Sequence, residues 1–81
     1  MVLEADLSIK TVKTFYESLQ KELQENDRVN LDFSRVHRID LSIIQVIIAA
    51  GREARDRGKV LRMKSVPEEI RNQMHICGLK V

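Results

Sequence analysis

The sequence predicts an α/β domain built on a mainly parallel sheet. Three observations predict it: strand-like and helix-like segments alternate in the order β-α-β-α-β-α, the apolar residues switch between a period of two and a helical period, and 81 residues hold one core only. With 43% apolar residues but no Trp, and with Phe15, Tyr16 and Phe33 as the only aromatics, that core is expected to be aliphatic.

Residues 2–7 alternate around Leu3, Ala5 and Leu7 and are read as a first strand. Ser8 offers an N-cap hydroxyl. Ile9, Val12, Phe15, Tyr16, Leu19 and Leu23 then recur at helical spacing, giving an amphipathic helix that ends near Asn26. Val29, Leu31 and Phe33 alternate with Arg28, Asn30 and Asp32, the pattern of a strand with one apolar face. A loop through residues 34–38 leads to Ile39 and Asp40. The second helix is predicted over residues 43–54, capped by Asp40 or Ser42 and stopped by Gly58 in the C′ role. Residues 60–63 form the next strand. Pro67 suits the first turn of a third helix, with Glu68 and Glu69 at its positive end, an apolar stripe of Ile70, Met74 and Cys77, and Gly78 as its stop.

The net charge is +2, but it is divided unevenly. Residues 1–27 carry three basic and six acidic side chains, and residues 28–81 carry eleven basic and six acidic ones. The densest basic stretch runs over residues 52–64. No aromatic side chains interleave with it, so it is read as a solvated face and not as a nucleic-acid surface. One cysteine, Cys77, excludes an internal disulfide and fits a reducing compartment. No signal peptide opens the chain and no apolar run is long enough to span a bilayer, so a cytoplasmic protein without direct membrane insertion is expected.

Catalytic signatures are missing. His37 and His75 lie in unrelated elements, and their nearest possible co-ligands, Asp40 and Cys77, do not extend into a three- or four-ligand set. The three glycines, Gly51, Gly58 and Gly78, form no phosphate-binding loop. Neither a metal nor a cofactor is expected. The segment that stands out is residues 31–45, where a strand, a short loop and Asp40 open a very apolar helix. Ile43, Ile44, Val46, Ile47 and Ile48 cover almost every direction of two turns, so either all of them pack against the sheet and the flanking helices or some face a partner.

This segment carries a family resemblance. Val29-Asn30-Leu31-Asp32-Phe33-Ser34, followed by Ile39-Asp40-Leu41-Ser42-Ile43-Ile44, resembles the strand, loop and helix start of STAS domains. That fold is found in bacterial anti-sigma factor antagonists and in domains appended to sulfate transporters. Residues 49–59 look like the family's helix and its exit, residues 67–79 like its last helix, and Leu7-Ser8-Ile9 fits its first βα unit. The resemblance implies a single STAS-like domain over residues 1–81, with a mixed, mainly parallel sheet of four or five strands and helices packed on one side. Terminal strands of that sheet would be missing here.

The resemblance also implies no catalysis. It implies docking of a protein partner, often a kinase-like anti-sigma factor, through Asp40, Leu41, Ser42, Ile43 and Ile44, in a signalling and transcription-regulating role. In regulated members the residue after the Asp is a phosphorylated Ser or Thr, and phosphate there releases the partner. Leu41 has no hydroxyl and Ile43 replaces the usual Gly, so the usual switch is lost and Ser42 becomes the alternative acceptor. A second expectation is a constitutive subunit of a larger assembly, with a transporter ATPase of a lipid-transport ABC system or a chemotaxis-type complex as partner. An aliphatic helix start and an unpaired sheet edge make a homodimer a further expectation.

Overall fold

The alternation of Val29 and Leu31 with Arg28 and Asn30 places two aliphatic side chains on one face of an extended segment, and that segment is the centre of the fold. In the computed structural model, which describes residues 1–79, it is strand β2 (Arg28–Asp32). Before it come β1 (Asp6–Leu7) and helix α1 (Val12–Glu25). After it come β3 (Arg38–Ile39), α2 (Leu41–Asp56), β4 (Val60–Lys64) and α3 (Glu68–Ile76).

The strands form two two-stranded parallel sheets, β2 with β4 and β1 with β3. The N-terminal segment joins them. Val2 bridges Asp32, and the Leu3 N–H donates to the Asp32 carbonyl at 3.0 Å. Further along, the Asp40 N–H donates to the Leu7 carbonyl at 2.9 Å. Residues 28–39 therefore form one line of extended backbone, interrupted by a turn at residues 33–37. The N-terminal segment lies along one side of it and β4 along the other. Every strand pairing among the described residues is parallel, so the expected mixed sheet is a parallel one here.

The helices lie on one face, as the family resemblance implies. Val29 and Leu31 are buried and Leu61 and Met63 partly so, whereas Arg28, Asn30, Val60, Arg62 and Lys64 on the opposite face are exposed. Leu19 and Leu23 of α1 and Ile43, Ile44 and Ile47 of α2 fill the space beneath the sheet, together with Phe33, Val36 and Met74. The core is aliphatic with two Phe rings, and no charged or polar residue is buried in it among the described residues.

Side chains join the layers. Gln20 donates to the Glu53 carboxylate between α1 and α2, and Gln73 of α3 donates to the Ile39 carbonyl at 2.7 Å. The Lys59 ammonium donates to the Leu23 carbonyl in the last turn of α1, where a cation meets the negative end of the helix. Gly58 has φ 70° and Gly78 has φ 90°, left-handed conformations that favour glycine and end α2 and α3 as the spacing predicts.

Several sequence expectations are corrected. The first strand is regular only over residues 6–7, because the Ala5 carbonyl accepts from both His37 and Arg38 and the register shifts there. Ser8 does not cap α1: its carbonyl and hydroxyl accept from Thr11 and Lys10 in a turn, and the helix begins at Val12 after Thr11. Ile9 therefore lies outside the helix, and Tyr16 lies off the buried stripe; both are exposed. Arg38 was expected as the end of a loop leading to Ile39, and no strand was expected there, because a two-residue strand carries no readable alternation. Pro67 precedes the first helical residue of α3, and α2 extends beyond the expected residues 43–54 at both ends.

Asp32 ends β2, and its carboxylate accepts the Ser34 N–H at 2.9 Å. This bond, with help from the Ser34 hydroxyl and nearby Lys64, holds its pKa below the ordinary Asp value. A depressed carboxylate contributes stability above its unfolded pKa and loses it as pH falls through the folded value. An NMR titration is therefore expected to give Asp32 a midpoint below that of a free Asp. Ser34→Ala should move the midpoint only part of the way back, since the backbone N–H remains. In the core, Leu19→Ala should cost roughly 2–5 kcal/mol in urea denaturation.

Candidate functional site

The order of residues at 39–41 dictates a sharp change of direction. Ile39 is the last residue of β3, Leu41 is the first of α2, and Asp40 between them is extended (φ −91°, ψ 159°). Its carbonyl accepts the N–H groups of Ile43 and Ile44 and so starts the helix. Its carboxylate does not cap that helix. Instead Oδ2 accepts the Ile9 N–H at 3.0 Å, across 31 residues of sequence, and Oδ1 lies 3.9 Å from the Arg38 guanidinium. Asp40 is thus a tie between the turn before α1 and the start of α2.

This tie sets two apolar side chains beside a carboxylate. Ile9 is 65% exposed and Leu41 is 56% exposed, each adjoining a group bonded to or continuous with Asp40. From Leu41 the outward face of α2 continues through Gln45, Ala49 and Arg52, all exposed and spaced at three or four residues. The site is an apolar knob beside an acidic group, leading onto a helix face. Among the described residues no three His, Cys, Asp or Glu side chains come together as a metal-binding group.

The five expected contact residues divide. Asp40 and Leu41 reach the surface. Ile43 and Ile44 are at 0% exposure and face the sheet and the neighbouring helices. Their expected contact with a partner is corrected: α2 is amphipathic after all, and its outward positions are Leu41, Gln45 and Ala49. Ser42 is half-buried. Its Oγ is sealed from solvent and makes no hydrogen bond among the described residues. A kinase would reach that oxygen only after the side chain or the first turn of α2 moves. Ile9 was missed as a site residue because its spacing fits the helical stripe. The turn residues Ser8 and Thr11 on either side of it were the available signal.

The site is the start of an apolar helix presented by a parallel α/β layer. The family model described as "Mlab, STAS domain" matches residues 1–81, the whole chain. The chain belongs to the STAS domain family and shares its general role as a protein-interaction module. No curated protein matches the chain. No helix of the described residues is long and apolar enough to cross a membrane.

Two substitutions test this geometry. Ser42→Ala removes a buried hydroxyl that has no partner, so thermal unfolding is expected to show a neutral or stabilising change of up to about 1 kcal/mol. Asp40→Ala leaves the Ile9 N–H without its acceptor and should destabilise by roughly 0.5–1.5 kcal/mol. The Ile9 amide should also exchange faster in that variant.

Proposed function

We propose that this chain is a non-enzymatic regulatory module, resembling anti-sigma factor antagonists, that docks a protein partner at the turn around Asp40. The observation that carries the reading is the pairing of exposed Ile9 and Leu41 on either side of the Asp40 carboxylate. Large aliphatic side chains held out by a hydrogen-bonded turn gain from being covered. The contact surface is Ile9, Asp40, Leu41 and the outward face of α2 through Gln45. Asp40 acts mainly by positioning the two apolar groups. A kinase-like anti-sigma factor fits as partner, in a cytoplasmic signalling role in transcription regulation.

A second reading has its own support. Leu41 stands where regulated STAS domains carry a phosphorylated hydroxyl, and the Ser42 Oγ is sealed. A surface without an accessible acceptor suits a constitutive contact. The module would then be a permanent subunit of a larger assembly, such as a lipid-transport ABC system, bound to its transporter ATPase, or a chemotaxis-type complex.

Co-purification with the kinase-like protein or the transporter ATPase encoded nearest to it separates the two readings. Leu41→Lys and Ile9→Lys keep the fold, since both positions are exposed, and each is expected to weaken the complex about tenfold or more. Treatment with phosphatase is expected to leave binding unchanged. Unchanged binding by both variants would refute the surface. A phosphatase-sensitive complex would restore Ser42 as an acceptor.

A further inference from the structure

The face of the sheet turned away from the helices carries a pattern that the Asp40 turn does not use. Strand alternation sets Arg28, Asn30 and Asp32 of β2 on it, beside Val60, Arg62 and Lys64 of β4. Val2, Glu4 and Asp6 join them, since they alternate with the buried Leu3 and Leu7 and Val2 pairs with Asp32. Charged and amide side chains cannot be buried under an apolar layer without a large desolvation cost. A strand added at either edge of the sheet would widen this face without covering it.

The charges are sorted along the face. The register places Val2, Asp32 and Lys64 in one row across the sheet. All strands run the same way, so Arg28 and Arg62 lie on the amino-terminal side of that row and Glu4 and Asp6 on the carboxy-terminal side. Alternate residues are about 7 Å apart along a strand. One pole is therefore basic, with Arg28, Arg62 and Lys64, and the other is acidic, with Glu4 and Asp6. None of these five forms an ion pair among the described residues. The other two charges on the face are engaged: Asp32 accepts the Ser34 N–H, and Arg38, opposite Asp6, lies 3.9 Å from the Asp40 carboxylate. Two aliphatic side chains, Val2 at 59% and Val60 at 36% exposure, are open on the same face.

A uniformly anionic partner, whether a membrane or a nucleic acid, would gain at the basic pole and be repelled at the acidic one. A second copy of the chain meets no such conflict. A two-fold axis lying in the contact plane, halfway between the poles, brings the basic pole of each copy onto the acidic pole of the other. We infer that this chain pairs with a second copy of itself, sheet face to sheet face, with Arg28, Arg62 and Lys64 of one copy against Glu4 and Asp6 of the other. The two longest extents of the molecule are 30 and 23 Å, so the contact buries at most about 700 Å² per copy. That lies at the low end for specific interfaces, and exposed ion pairs contribute little each, so the dimer is weak and salt-sensitive. It leaves the helix layer and the Asp40 surface open, and it does not depend on that reading.

The test is sedimentation equilibrium of the whole chain at low salt, over about a hundredfold range of concentration. A reversible monomer–dimer equilibrium is expected, weakened about tenfold or more at about 0.5 M salt. Arg62→Glu with Lys64→Glu reverses the basic pole, and Glu4→Lys with Asp6→Lys reverses the acidic one. Each pair alone is expected to leave a monomer. All four positions are exposed, so circular dichroism and melting should stay close to the wild type. Mixing the two variants is expected to restore the dimer, as is placing all four substitutions in one chain, because each pole then meets its opposite again. A folding defect is not cured in this way. Leu41→Lys should dimerise normally, which separates this face from the Asp40 reading. The inference is overturned by a monomer at every concentration, by a dimer that survives either reversal, by a mixture that stays monomeric, or by concentration-dependent NMR shifts that fall on α2 in place of Asn30 and Arg62. Capture of a monomeric chain by phosphatidylglycerol vesicles, abolished by Arg62→Glu with Lys64→Glu, would overturn it too and assign the face to a membrane.

Discussion

Every layer of this domain hangs on the parallel pairing of residues 28–39 with neighbours on both sides. Val29, Leu31 and Phe33 are almost wholly buried, and the same stretch carries the backbone bonds to Leu3, Leu7 and β4. Parallel pairing needs a crossover between each pair of strands, and α1 and α2 are those crossovers. Both land on one face because the other face is written with Arg28, Asn30, Arg62 and Lys64.

The turn at Asp40 follows from that arrangement. β3 must leave the sheet and become α2 within one residue, beside the place where the N-terminal segment leaves the sheet toward α1. Two chain reversals therefore meet, and the backbone N–H of Ile9 would lack an internal partner there. The Asp40 carboxylate supplies one. The cost is that α2 starts without a side-chain cap, and the consequence is that Ile9 and Leu41 are both held outward. The residue that resembles a contact residue of the STAS family thus has a structural task in this chain, and the aliphatic neighbours beside it are the exposed ones.

The two ends of α2 differ in character. Its N-terminal turn carries the apolar knob, and its C-terminal half carries Gly51, Arg52 and Arg55 over the β4 edge. The buried stripe of Ile43, Ile44, Ile47, Ala50 and Ala54 anchors the helix rigidly between them.

Much of the architecture was legible in the sequence. Alternation at Val29, Leu31 and Phe33, the helical stripe at Phe15, Leu19 and Leu23, and the glycines at 58 and 78 report local preferences that the fold satisfies. The Asp40-Leu41 turn was readable for the same reason, since a strand, a single acidic residue and an aliphatic helix are adjacent in the chain. What the tertiary structure decided was which apolar side chains are covered. Ile9 and Ile43 look equally core-like in a periodic pattern, yet Ile9 is pulled out by a hydrogen bond from 31 residues away and Ile43 is turned under the sheet. The bond from Ile9 to Asp40 was equally hidden. Strand order and register arise only when distant segments pack together, and no local propensity encodes them.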